Sequence, residues 1–209
     1  MPRERSGTPP NAARFVRRLE DRIEGFVEGR DRVALAYSGG LASTLLAMVA
    51  RKRCDLECFV AGVPESGDVR AAASAKQHLD YRITPVLLDA TKTMRIRDRM
   101  AAFHPGLSFE ALGTLLPLVA VLELGEGTEW LAGFGSPRID PGIAAELRRL
   151  GVRAPLVDLS GGRTLSRDLL RRAATSLGLP EVWARVAHRP PAIGSGIAGF
   201  LPTSERDTD

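Results

Sequence analysis

Short apolar runs alternate with segments of helical periodicity in the first ninety residues, and this alternation constrains the fold more than any other feature. Three runs, 32–37 (RVALAY), 56–63 and 83–88, are short and apolar, as buried strands are. The segments between them, 41–53 and 71–79, are long enough for a helix to cross from one strand to a parallel neighbour. The sequence therefore predicts an α/β fold, a single-domain parallel sheet flanked by helices.

The rest of the chain is predicted to add helices around a fourth strand. Helices are predicted over 11–29, 91–103, 109–124, 141–150 and 165–177, a strand over 129–133, and a loop over 189–199. No repeat or low-complexity insert interrupts this pattern. We therefore expect one domain over residues 11–200, with flexible tails at 1–10 and 201–209.

Composition and charge exclude several classes of protein. A hydrophobic share of 44% is too high for a fully disordered chain. The longest strongly apolar stretch, 115–122, is far shorter than the roughly 20 residues of a membrane-spanning helix. The first residues contain no apolar segment of the secretory type, so we expect a cytoplasmic protein with no membrane partner. A net charge of +4 spread along the chain argues against a nucleic-acid partner.

Segment 38–44, SGGLAST, follows the first strand and opens the first crossover helix. A helix N-terminus presents unpaired amides and the positive end of the helix dipole. Two consecutive glycines let the backbone turn tightly and approach a phosphate, and three hydroxyl groups add donors. The segment is therefore predicted to bind an anion, and a tight turn capped by serine is the alternative.

Several stretches resemble one family. Residues 33–44, VALAYSGGLAST, resemble the SGGxDS phosphate loop of the N-type ATP pyrophosphatases, and within that group the synthetase domain of asparagine synthases. Further similar stretches follow in the family's order: 59–68 (FVAGVPESGD), 154–158 (APLVD), 166–180 and 192–197 (AIGSGI). The resemblance implies an adenine nucleotide alpha hydrolase-like fold with ATP or AMP as its ligand.

The resemblance also implies which residues surround the nucleotide. They are Tyr37, Ser38, Gly39, Gly40, Leu41, Ser43, Thr44, Ala61, Gly62, Asp68 and Gly133. The first seven form the phosphate loop, the next three face the adenosine, and the last belongs to a second pyrophosphate loop. Asp68 has an alternative role as the N-cap of the helix that follows it.

The chain departs from the family's pattern at charged positions. Ala42 stands where the family has an aspartate that helps hold the Mg²⁺ bridging the phosphates, so no metal ligand is predicted. Mg²⁺ is expected only if Asp68, Asp89 or Asp140 takes the place of that acid. Residues 132–138 keep the glycines of the second loop and lose both of its acids. A family lysine falls at Arg167, which can still neutralise phosphate and is the single catalytic candidate.

Three functions follow from the resemblance. An active protein would adenylate a small carboxylate substrate and pass it to free ammonia, releasing AMP and pyrophosphate. Because position 2 is Pro2, no N-terminal glutaminase cysteine is expected. A catalytically silent nucleotide-binding module or scaffold, working with a protein partner, is the first alternative. A tRNA-modifying relative that depends on Cys54 is the second. Otherwise Cys54 and Cys58 are expected to be ordinary thiols.

Overall fold

The computed structural model describes residues 10–79, 82–125, 128–134, 141–161, 163, 165–185 and 189–201. Residues 135–138 of the predicted second pyrophosphate loop, and nearly all of both predicted tails, lie outside these residues.

Five parallel strands form one sheet in the order β3-β2-β1-β4-β5. The strands are β1 (Arg32–Ala36), β2 (Asp55–Gly62), β3 (Arg82–Leu87), β4 (Trp130–Ala132) and β5 (Val152–Arg153). This confirms the predicted α/β class and its parallel sheet. The sequence did not predict β5, because two residues are too few to show any periodicity.

Ten α-helices and one 3-10 helix are found in the described residues. They are α1 (Pro10–Val27), α2 (Leu41–Ala50), α3 (Gly67–Leu79), α4 (Ala90–Phe103), α5 (Phe109–Leu122), α6 (Pro141–Arg149), α7 (Pro155–Ser160), α8 (Arg167–Ser176), α9 (Glu181–Ala184), α10 (Pro191–Gly194) and the 3-10 helix Ile197–Phe200. The prediction of a loop over 189–199 is wrong, because α10 and the start of the 3-10 helix lie there. Single-turn elements of four residues show no helical period, and Pro191 preorganises the first turn.

Helices cover both faces of the sheet, and successive residues of a strand point to opposite faces. On β4, Leu131 joins the core cluster with α1, α2 and α8, whereas Trp130 joins the cluster with α4, α5 and α6. The side chains buried most deeply in the first cluster include Leu19, Leu35 and Leu46. Within the described part of the chain, no helix combines the length and apolarity needed to cross a bilayer.

The order of the strands creates a switch point between β1 and β4. From β1 the chain moves outward through β2 and β3, and then returns to the other side of β1 as β4. The loops after β1 and β4 therefore leave the carboxyl edge, where the parallel strands end, in opposite directions. In open α/β sheets such a point leaves a crevice in which ligands bind.

Candidate functional site

The first feature at the switch point is the β1–α2 loop, residues 37–40. Helix α2 begins at Leu41, and its N-cap Gly40 has an extended backbone and offers no capping side chain. The amides of the first helical turn have no intrahelical acceptor and carry the positive end of the dipole. Ser38 is exposed, and Gly40 and Ala42 are partly exposed, so this helix end is accessible from solvent.

Two serine hydroxyl groups hold the β1–α2 loop in shape. The Gly40 amide donates to Ser38 Oγ at 3.3 Å, the two serine oxygens of Ser38 and Ser43 lie 3.3 Å apart, and Ser43 Oγ donates to the Gly40 carbonyl at 3.0 Å. The Ser38 amide also donates to Ser43 Oγ at 3.3 Å. We call this closed set of bonds the hydroxyl ring. It preorganises the loop, and it already uses the Ser43 hydroxyl predicted to reach a ligand.

Tyr37 and Thr44 lie on the interior side of the loop. Both are buried, and the Tyr37 hydroxyl and Thr44 Oγ1 are hydrogen-bonded at 3.0 Å. Burial raises the pKa of Tyr37 above its ordinary value, so the phenol stays neutral. Leu41 and Ser43 are buried as well. The structure thus brings the predicted phosphate-loop residues together, but it exposes mainly Ser38 and the two glycines.

Two glycines permit close packing around this loop. Gly39 has φ +69°, and a Cβ placed on it would lie 2.5 Å from the Ala71 Cβ in α3. Gly133, directly after β4, would place a Cβ 2.7 Å from the Ser43 amide nitrogen and Cα. The predicted site residue Gly133 therefore meets the first turn of α2 at the switch point.

The second feature is the β2–α3 corner, residues 62–68, which the chain's C-terminal region covers. The Val63 amide donates to the Ser195 carbonyl at 2.8 Å. A Cβ on Gly62 would lie 2.5 Å from Ser66 Oγ and 3.0 Å from the Ser195 carbonyl oxygen. Ser66 Oγ is buried and has no hydrogen-bond partner among the described residues. Ala61, which precedes the corner on β2, is buried.

Asp68 is half-buried at this corner. The alternative role of Asp68 as an N-cap is wrong, because it is the second residue of α3 and the carbonyl of Ser66 accepts the first helical bond, from Arg70. Its Oδ2 lies 2.7 Å from the position of a Cβ on Gly194. Burial raises the pKa of Asp68 from 3.8 to about 7, and the Arg189 guanidinium opposes this effect. Asp68 therefore titrates near neutral pH.

Helix α3 connects the loop to the corner. Its residue Ala71 packs on Gly39, and its first residue, Gly67, packs on Arg189, whose Nη1 lies 2.6 Å from the position of a Gly67 Cβ. Gly67 and Ala71 are one turn apart, about 6 Å along the helix axis. The β1–α2 loop, Asp68 and Arg189 are therefore neighbours at the carboxyl edge of the sheet.

Arg167, the predicted catalytic candidate, begins α8 and is exposed. Helix α8 packs on α1 and α2. A groove of about 540 Å³ lies between α1 and α8, and none of the predicted nucleotide residues lines it. The groove joins the side chains of Phe15 and Leu169 with those of Arg14, Arg18 and Arg172. A catalytic role for Arg167 stays a prediction.

Sequence analysis missed a polar cluster on α6. Glu146 is buried, accepts bonds from Arg149 Nε at 3.0 Å on both oxygens, and lies 3.3 Å from His104 Nδ1. His104 Nε2 is buried without a hydrogen-bond partner among the described residues. The spacing of Glu146 and Arg149 on one helix could have indicated their pair. The His104 contact joins distant parts of the chain and leaves no sequence signal.

The two cysteines lie around the start of β2. Cys58 is buried, and burial raises its thiol pKa to about 12. Burial also raises the pKa of Cys54, whose Sγ donates to the Ala50 carbonyl at 3.4 Å. Because the thiolate is the nucleophile, both side chains have the character of ordinary, unreactive thiols.

The residues around the β1–α2 loop do not fit the Mg²⁺ that the resemblance implies. Mg²⁺ bound with phosphates usually takes one or two carboxylates from the protein. Ala42 offers a methyl group that packs against the first core cluster, and the hydroxyls of Ser38 and Ser43 are used in the hydroxyl ring. Asp68 faces Arg189 and is only partly ionised at neutral pH. The described residues contain no group of three His, Cys, Asp or Glu side chains that could hold a metal ion.

Comparison with known proteins shows a likeness of fold to a solved structure. No protein-family model and no curated protein matches the chain. Among solved structures, the NMN synthetase from Francisella tularensis is similar, with a TM-score of 0.56 and 11% identity over 87% of this chain and 76% of that one. At this identity the likeness is one of fold, a parallel α/β sheet flanked by helices. It does not point to asparagine synthases in particular.

Proposed function

We propose that the protein binds an adenine nucleotide, ATP or AMP, with a phosphate group at the N-terminus of α2. The observation that carries this proposal is the uncapped start of α2, which lies at the switch point of the sheet. The resemblance of residues 33–44 to a phosphate loop supports the same ligand. The protein of similar fold is named an NMN synthetase.

The rest of the nucleotide is proposed to extend from the phosphate toward the β2–α3 corner. Ala61 and Gly62 end the neighbouring strand there, and Asp68 stands at the start of α3. The Asp68 carboxyl is a hydrogen-bonding group suited to ribose hydroxyls. Ser195 covers part of this corner, so the adenosine is expected on the side of the corner that faces solvent.

We further propose that binding occurs without turnover. Nucleotidyl transfer needs charge stabilisation on the phosphates from a metal ion and fixed cations. Ala42 supplies no carboxylate, and Arg167 replaces the family's lysine. The asparagine synthase type of reaction, with a small carboxylate and ammonia, is the active alternative and would rely on Arg167. The raised pKa of Cys54 disfavours the alternative that depends on thiol chemistry.

Calorimetric titration with AMP and with ATP tests the binding proposal. Ser38→Asp places a negative charge on an exposed residue beside the phosphate, and Ser38→Asn is its neutral control of the same shape. We expect the aspartate variant to bind about tenfold more weakly than the asparagine variant, because like charges repel at short range. Equal affinities in the two variants would exclude the β1–α2 loop as the phosphate site.

A pyrophosphate-release assay tests the absence of turnover. ATP, aspartate and ammonia are supplied together with Mg²⁺, and the wild type is compared with Arg167→Gln. We expect no pyrophosphate above the protein-free rate in either sample. Release that depends on Arg167 would establish the active alternative and leave the binding proposal intact.

A further inference from the structure

The residues at the site also indicate in which form the nucleotide binds, an inference that rests on the proposed function. We propose that the site takes the nucleotide as the metal-free anion, with the phosphate charge balanced by the α2 N-terminus and the Arg189 guanidinium. The site then selects against the Mg²⁺ complex of a nucleotide.

The first argument is the chemistry of the donors on the β1–α2 loop. Amides of the first helical turn are donors to an anion, whereas a Mg²⁺ ion needs oxygen acceptors. The side chain at position 42, in the first turn of α2, is a methyl group. A metal-bound phosphate would bring its cation toward the positive end of a helix dipole with no carboxylate to receive it.

The second argument is the position of Arg189. Its guanidinium packs on Gly67 at the start of α3, one helical turn from the contact between Ala71 and Gly39. Arg189 is exposed, so its side chain can turn toward a phosphate at the β1–α2 loop. A guanidinium binds phosphate oxygens in a bidentate manner and keeps its charge at any pH near neutrality.

The third argument concerns Asp68, which faces Arg189. An ionised Asp68 would compensate the arginine's charge and compete with the phosphate for it. Burial keeps the Asp68 carboxyl partly protonated at neutral pH. Arg189 therefore retains positive charge that a phosphate group can neutralise.

The test is calorimetric titration of the full chain with AMP and with ATP, in EDTA and in excess Mg²⁺. We expect the affinity for AMP to change by less than about twofold, and ATP to bind at least about threefold more tightly in EDTA, since Mg²⁺ removes phosphate charge and meets no protein carboxylate. Tighter ATP binding in Mg²⁺ would overturn this inference and leave the proposed function standing. No binding of either nucleotide under any condition would overturn both.

Two matched pairs of variants locate the charges. Arg189→Gln should weaken AMP binding about tenfold, the loss of one charge-assisted hydrogen bond, whereas Arg22→Gln on the exposed face of α1 should leave it unchanged. Ala42→Asp should make ATP binding depend on Mg²⁺, and Ala42→Asn should not. An Arg189→Gln variant that binds like the wild type, with its fold intact by circular dichroism, would overturn the role of Arg189.

Discussion

The β1–α2 loop and the β2–α3 corner have the same construction, but the helix that follows is open to solvent in the first and covered in the second. Each is a glycine-containing turn from a parallel strand into a helix at the carboxyl edge of the sheet. At the first, α2 starts without a capping side chain and Ser38 is exposed. At the second, the Ser195 carbonyl accepts a bond from Val63, and Arg189 packs on the start of α3.

The difference shows what a glycine in such a turn does and does not indicate. Gly39 and Gly62 are both required by packing, the first against Ala71 and the second against Ser66 and Ser195. Packing alone therefore explains both glycines, whether or not a ligand binds. The ligand argument depends on the helix end, which is open in one turn and covered in the other.

The largest expected effect concerns Gly39. Gly39→Ala forces an alanine into φ +69° and against the Ala71 Cβ, so we expect a loss of about 2–4 kcal/mol in the free energy of unfolding. The control Gly29→Ala has φ +73° and no heavy atom within 4 Å, so only the backbone term of about 1 kcal/mol remains. Urea denaturation measures both. Equal losses would mean that α3 does not pack tightly on the β1–α2 loop.

The next effect concerns Asp68 and depends on pH. Its pKa is raised from 3.8 to about 7 in the folded protein, so above that range the buried carboxylate destabilises the fold. We expect Asp68→Asn to raise the free energy of unfolding by about 2 kcal/mol at about pH 8.5, after allowance for solvent screening. The gain declines as pH falls through 7 and vanishes below 3.8, because the unfolded chain then holds the proton as the folded protein already does.

The control for this prediction is Asp21→Asn, at an exposed position of α1. It measures the effect of removing one acid from the surface. A gain for Asp68→Asn that does not depend on pH, or a loss at high pH, would show that the corner is not buried as described.

The smallest expected effect concerns the interior side of the β1–α2 loop. Tyr37→Phe removes the bond to Thr44 Oγ1 and is expected to lower the free energy of unfolding by about 1 kcal/mol. A double-mutant cycle with Thr44→Val isolates the interaction between the two hydroxyls. If they are bonded to each other, the losses in the free energy of unfolding from the two single variants do not add up in the double variant. Additive losses would show that the two hydroxyls contribute independently.

The core of the fold and the β1–α2 loop could be predicted from the sequence. The segment that packs over the β2–α3 corner could not. The apolar runs of β1, β2 and β3 and the glycines before α2 are local signals, and the structure has the elements within a few residues of their predicted bounds. Helix α10 has four residues and shows no period. The bond between Val63 and Ser195 joins remote parts of the chain, so no local pattern indicates it.

Backbone amide NMR during titration with AMP tests the central claim most directly. We expect the largest shift changes at the amides of Gly40, Leu41 and Ala42, with residues Phe15 and Leu169 of the groove between α1 and α8 unaffected. The contradicting result is a set of changes centred on that groove while the first turn of α2 stays unperturbed at saturating AMP.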